Sequence, residues 1–329
     1  MSPKKNETEY LYVSSFVHAR EKILLSREKY DRLAYAPDTL SLFRLLKEYG
    51  YSFPAESGDY IDGVLDKTLS ERISEMEKIT PNGENLKIFR LPYDCMNLKA
   101  AIKCTVKDGF DFESLASECG SVPISEYGRI MENRDFSLFT PGLAVAAKEA
   151  EQIYNKTRDP QLFDIELDKA CFRDMLTIAA NSRESVYKEY VSAKIDISNI
   201  VMCIRSMRMG KPLSFFKSVF INGGNLNIGC FEEIYGEDTE KFFAAVSKTR
   251  YGKAFSLDIT AGNPFGMDRA AAKYMLGFSK ELLNSVFGAG AVMGFILVCE
   301  NEIKNIRIIF SGKKAGISPR RICERINYV

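Results

Sequence analysis

The sequence predicts an all-α protein made of three homologous helical lobes, and three observations predict it. Apolar residues recur at three- and four-residue steps through most of the chain, with no convincing period-two alternation. Asp66, Asp168 and Asp268, each inside an LDK, LDK or MDR tripeptide, recur at intervals of 102 and 100 residues. Beside them run Asn97, Asn199 and Asn305, spaced 102 and 106, each three positions after an acid: Asp94, Asp196 and Glu302. One unit of about a hundred residues has been used three times. The expected lobes are residues 1–118, 119–222 and 223–329. A looser marker, DTLSLF at 38–43 and DTEKFF at 238–243, with DFSLF at 135–139 between them, follows the same period.

The elements follow in order. In residues 11–33, Leu11, Val13, Phe16, Val17, Ile23, Leu24 and Leu33 alternate with Arg20, Glu21, Arg27 and Glu28, which predicts one long amphipathic helix. Similar patterns predict helices over 41–50, 60–79, 142–157, 164–180, 183–210, 238–249, 268–288 and 291–313. Breaks are expected at the Gly and Pro clusters TPNGEN, ECGSVP, NGGNLNIG and AGNPFG.

Composition narrows the function. With 46% apolar residues in 329, the chain can bury substantial cores. Its 45 basic and 44 acidic residues nearly cancel, so no global field draws it to nucleic acid. The eight cysteines include no CxxC pair and His18 is the one histidine, which argues against a zinc site. Scattered cysteines in apolar runs behave as small hydrophobes and suit a reducing cytosol, where the sequons at Asn6 and Asn155 carry no meaning. The polar opening MSPKKNETEY does not resemble a signal peptide. The 18 charge-free residues between Glu281 and Glu300 fall short of the roughly 20 that a span needs and contain Asn284, Gly288, Gly290 and Gly294, so they are expected to break between two packed helices.

The repeated acid-x-x-Asn places a carboxylate and an amide on one helix face. Apolar residues follow each Asn at one and five positions: Leu98 and Ile102, Ile200 and Ile204, Ile306 and Phe310. The polar pair is therefore expected at the edge of a packed face, where the amide binds a neighbouring helix's backbone and fixes register. A threefold catalytic carboxylate pair is the sharper alternative, but it lacks a histidine, metal set or nucleophile beside it. The LDK acids are expected to cap helices or pair with nearby bases. NGGNLNIG and GAGAVMG are not Walker patterns, so no nucleotide or other cofactor is expected.

YDCMNLKAAIK (93–103), DIELDKACFRDML (164–176), IDISNIVMCIRSMRMGK (195–211) and above all ENEIKNIRIIFSGKKAGISPRRICERI (300–326) resemble the C subunit of A-type and bacterial V-type ATP synthases, a relative of the d subunit of the vacuolar ATPase. The resemblance runs from about residue 9 to the end, and the ordered spacing makes it specific. It implies a funnel of three lobes about a pseudo-threefold axis, on the cytoplasmic face of a membrane. The funnel would be a non-catalytic rotor part, receiving the central shaft (D- and F-type subunits) and seated on the proteolipid ring, without a transmembrane span of its own.

From Lys304 to Arg325 there are seven bases against Glu324 alone. The bland reading is a solvated helical face; the functional one has Lys313, Lys314, Arg320 and Arg321 meeting acidic shaft residues or anionic lipid head groups. Two further function classes stay open from sequence: a free-standing helical-repeat scaffold with another partner, and an enzyme using carboxylates in a concave pocket.

Overall fold

The computed structural model describes residues 9–53, 61–106, 111–237, 239–255 and 266–328. Among these the regular structure is helical throughout, with no strand. The break expected at AGNPFG and the Asp238 that opens the second DTxxxF marker lie outside the described residues, apart from Gly266. The chain divides into two compact units: residues 87–274, and a second that gathers residues up to Leu86 with those from Met275 onward.

The unit built from both ends of the chain is organised around the helix Gly290–Lys314. Its first ten residues are all buried, because that stretch carries no charge on any face and a helix apolar all round must be enclosed. Against it pack Leu11–Arg20, Arg27–Tyr35, Thr39–Glu48, Ile61–Ile79 and Pro319–Cys323. The helix before it, Gly266–Leu283, stops five residues short of the expected end at Gly288, which takes φ +71°. Gly294 allows a close approach of the preceding chain, since a Cβ there would stand 2.4 Å from the Leu283 amide nitrogen. No described helix is long and apolar enough to cross a membrane.

The single helix expected over 11–33 is two helices. Leu11–Arg20 passes through a 3₁₀ turn, Glu21–Ile23, into extended Leu24, and Arg27–Tyr35 starts afresh with Ser26 Oγ accepting the Lys29 amide at 3.4 Å. The helical periodicity continues across the break. What interrupts it is a tertiary hydrogen bond that the Leu25 amide donates to Glu302.

The 87–274 unit contains a long helical hairpin. Pro141–Thr157 and Pro160–Asn181 each begin with proline at the first position, where no amide hydrogen is needed. Arg158 at φ +55° and Asp159, which accepts the Gln161 amide at 2.9 Å, turn the chain between them. Pro160–Asn181 also packs on Leu91–Val106 and Ser185–Arg208, and Phe89 and Tyr190 meet at 5.1 Å between ring centroids.

Candidate functional site

The three acid-x-x-Asn motifs lie on helices: in the first two turns of Leu91–Val106, and near the middle of Ser185–Arg208 and of Gly290–Lys314. All six polar residues are at most 1% exposed. Their apolar companions Leu98, Ile102, Ile200, Ile204, Ile306 and Phe310 are buried with them.

Each asparagine holds the backbone of one later residue by both its groups. Asn97 Nδ2 donates to the Ser117 carbonyl and its Oδ1 accepts the Ser117 amide, both at 2.8 Å. Asn199 does the same with Ile221, at 2.8 and 3.0 Å. Asn305 does the same with Asn327, at 2.8 and 3.1 Å. The sequence suggests a neighbouring helix's backbone as partner; the structure supplies instead a non-helical residue 20 to 22 positions on, past the next short helix. Only such a residue has both its N–H and C=O free of helical bonds.

The acids reach further, into the following repeat. Asp94 accepts the amides of Ser121 at 2.7 Å and Val122 at 3.2 Å, and the Ser121 hydroxyl at 2.5 Å. Asp196 accepts the amides of Asn225 at 3.0 Å and Leu226 at 2.9 Å, and the Tyr251 hydroxyl at 2.5 Å. Glu302 accepts the Leu25 amide at 2.5 Å, the Tyr51 hydroxyl at 2.6 Å and Arg72 at 2.7 Å. Thus the third acid finds its amide near the other end of the chain. In each case a short helix starts just after the amide so held: Ile124–Glu126, Ile228–Glu232 and Arg27–Tyr35. Five residues after Leu25, Val122 and Leu226 stand the fully buried rings of Tyr30, Tyr127 and Phe231.

Burial dominates the electrostatics. It pushes the Asp94 carboxyl above the usual carboxylate range, against the pull of the Ser121 and Val122 hydrogen bonds. The Tyr51 and Tyr251 phenols are pushed up as well, first by burial and then by the carboxylates beside them.

The LDK acids take bases from the preceding repeat's motif helix. Asp168 pairs with Lys99 at 2.5 Å, Asp268 with Arg205 at 2.7 Å, and Asp66 with Arg307, which also reaches Asp62 at 2.8 Å. Burial disfavours the Lys99 charge, but Cys95 and Asp168 outweigh it and hold the ammonium above the ordinary lysine range. The order is cyclic for both sets of contacts: first repeat to second, second to third, third to first. Asp66 is buried, whereas Asp168 and Asp268 are half exposed.

A cleft of about 340 Å³ opens beside the Arg205–Asp268 pair, lined also by Asp168 and by Ile197, Met202 and Ala271. Three positions after the LDK acid, Ala271 stands where the other repeats have Leu69 and Cys171. The smaller side chain accounts for part of that space. Among the described residues no group of three or more His, Cys, Asp or Glu side chains is placed to hold a metal ion.

In the basic tail, Lys313 does not face outward. Its ammonium donates to the carbonyls of Ala34, at 2.8 Å, and Ala36, closing the end of Arg27–Tyr35. Lys314, Arg320 and Arg321 are exposed.

Sequence reasoning missed Arg72, Tyr51 and Tyr251, although the two tyrosines stand 200 residues apart, in step with the DTxxxF marker. It also missed Asp174, buried and accepting Thr140 Oγ1 at 2.5 Å and the Gly142 and Leu143 amides at 3.0 and 2.9 Å.

The family model described as ATP synthase (C/AC39) subunit matches residues 13–325. The chain belongs to this family. Among C/AC39 relatives, the C subunit of the A-type ATP synthase of Pyrococcus horikoshii is 23% identical, over 97% of this chain and 90% of its own length. That of Methanocaldococcus jannaschii is 22% identical over 95% and 85%, and that of Methanosarcina mazei 23% over 98% and 94%. Membership covers all three motif helices, so the clamps made by the acids and asparagines belong to the C/AC39 part of the chain and not to an appended segment.

Proposed function

We propose that the chain is a non-catalytic central-stalk subunit of a rotary V/A-type ATPase. It is a socket that couples the central shaft to the membrane proteolipid ring during ATP-coupled proton or sodium transport. Three lobes surround a pseudo-threefold axis as a funnel. The D- and F-type shaft subunits enter its mouth and the ring lies beneath, at the cytoplasmic face of the membrane. The observation that carries this reading is the cyclic interlock within a C/AC39 chain: every repeat's acid and base are spent on the repeat that follows. A part that transmits torque must not yield, and buried, fully hydrogen-bonded polar frames are stiff. The buried acids are engaged by backbone amides and fixed cations, which suits a frame better than a reacting centre. Lys314, Arg320 and Arg321 supply an exposed basic surface for acidic shaft residues or anionic head groups.

The test is reconstitution. The purified chain is mixed with shaft subunits and detergent-solubilised proteolipid ring from the same cell, and assembly is followed by size-exclusion chromatography and by ATP-driven ion pumping. A complex containing all parts, with pumping dependent on this chain and no ATP hydrolysis by the chain alone, is the expected result. Turnover of nucleotide by the isolated chain, or failure to join shaft and ring, overturns the reading.

A further inference from the structure

Beneath the Lys99–Asp168 pair lie two cysteines. Cys95 is one helical turn before Lys99, and Cys171 is three residues after Asp168. Both are buried, at 3% and 5% exposure. Cys95 Sγ lies 3.8 Å from Asp168 Oδ1, one helical turn before Cys171, and the two helices that carry the cysteines pack on each other. The corresponding positions in the other repeats, two before the Asn and three after the LDK acid, hold Ile197 with Ala271 and Ile303 with Leu69. The frame thus puts hydrocarbon at this contact twice and a pair of facing thiols once.

We propose that Cys95 and Cys171 form an oxidisable latch, closing to a disulfide that ties the first repeat's motif helix to the second repeat's acid-bearing helix. Two buried cysteines that face each other across packed helices are joined with little backbone movement. With a hydroperoxide as oxidant, one thiolate attacks a peroxide oxygen; the O–O bond breaks, a sulfenic acid forms and water leaves. The second thiolate then attacks the sulfenyl sulfur, the S–S bond forms, and hydroxide departs to take up a proton as a second water. Two electrons pass from the sulfur pair to the peroxide, and both thiol protons end in water. The Cys171 side chain and burial push the Cys95 thiol up, so the latch closes under sustained exposure, not a brief pulse. Cys230, which is exposed, provides an internal comparison.

The full chain is treated with hydrogen peroxide, quenched, and digested with trypsin without reduction. Cleavage at Arg90, Lys99, Lys169 and Arg173 isolates peptides 91–99 and 170–173, each with one cysteine. The expected product is the joined pair, two hydrogens lighter than the sum, lost on treatment with a thiol reductant and absent from Cys171→Val. Oxidation also raises the thermal midpoint of the wild type, and reduction reverses it. This readout needs no variant to fold. Oxidation of Cys230 with Cys95 and Cys171 still free to alkylate after denaturation overturns the proposal, as does a cross-link that leaves the midpoint unmoved.

Discussion

Glu302 accepts the backbone amide of Leu25, a residue 277 positions earlier in the chain, at 2.5 Å. In the other two repeats the equivalent acid takes amides only 27 to 30 positions away. The same local device therefore serves as a local staple twice and once as the tie between the first and last parts of the sequence. Glu302→Ala leaves Arg72 buried without its carboxylate, together with Tyr51 and Leu25. Removing one member of a buried pair costs about 3–5 kcal/mol, and urea denaturation should show a loss of that order.

The asparagines should be equivalent in energy. Asn97→Ala, Asn199→Ala and Asn305→Ala each strand one backbone N–H and one C=O, at a cost of about 2–6 kcal/mol from roughly 1–3 for each unsatisfied group. Asp substitutions keep the acceptor and lose the donor, so they should fall between alanine and wild type. Denaturation of the six variants measures this directly, and a neutral Asn305→Ala would refute the equivalence.

Two glycines guard the acids. A Cβ on Gly120 would stand 2.6 Å from Asp94 Oδ1, and one on Gly224 would stand 2.1 Å from Asp196 Oδ1. Neither carboxylate can move without releasing its amides. Gly120→Ala and Gly224→Ala should each cost about 1–3 kcal/mol through overpacking, whereas Gly63→Ala, with open space around it, should be neutral or stabilising in its helix. Thermal melts of the three distinguish these outcomes.

Filling the cleft should help. Ala271→Leu adds apolar volume beside Ile197 and Met202, and cavity filling of this kind gives about 0.5–2 kcal/mol. A lower thermal midpoint would mean that the space is needed open.

Asp94 should titrate against the usual trend. Its folded-state pKa is raised from 3.8, chiefly by burial. Its favourable contribution is therefore full below the unfolded value and lost as pH rises through the folded one. On acidification from about pH 7 to about pH 4, the wild type should lose less stability than Asp94→Asn, because all other groups titrate alike in both. Urea midpoints at the two pH values check the sign; a greater loss in the wild type contradicts it.

The helices were legible because periodicity is local. So was the pairing of acid with amide on one face, since Asp94 and Asn97 are three apart on one helix. What they hold was not legible. Ser117, Ile221 and Asn327 share no side-chain chemistry, because only their backbone groups are used. The break at Leu24–Ser26 was hidden for a related reason: its cause, Glu302, is remote in sequence, and Leu25 keeps the apolar period of its neighbours. Arg72 and Tyr51 were missed because neither carries a motif; their meaning lies wholly in the buried carboxylate between them.

Ribosomes make Leu25, Tyr51 and Arg72 long before Glu302. At roughly 5–20 residues per second, the separation of 277 positions between Leu25 and Glu302 corresponds to about 14–55 s in which the early segment has emerged and its anchor has not. A nascent polypeptide stopped short of Glu302 leaves the apolar faces of its opening helices bare, so premature termination products of this gene should be bound by chaperones or degraded rather than accumulate.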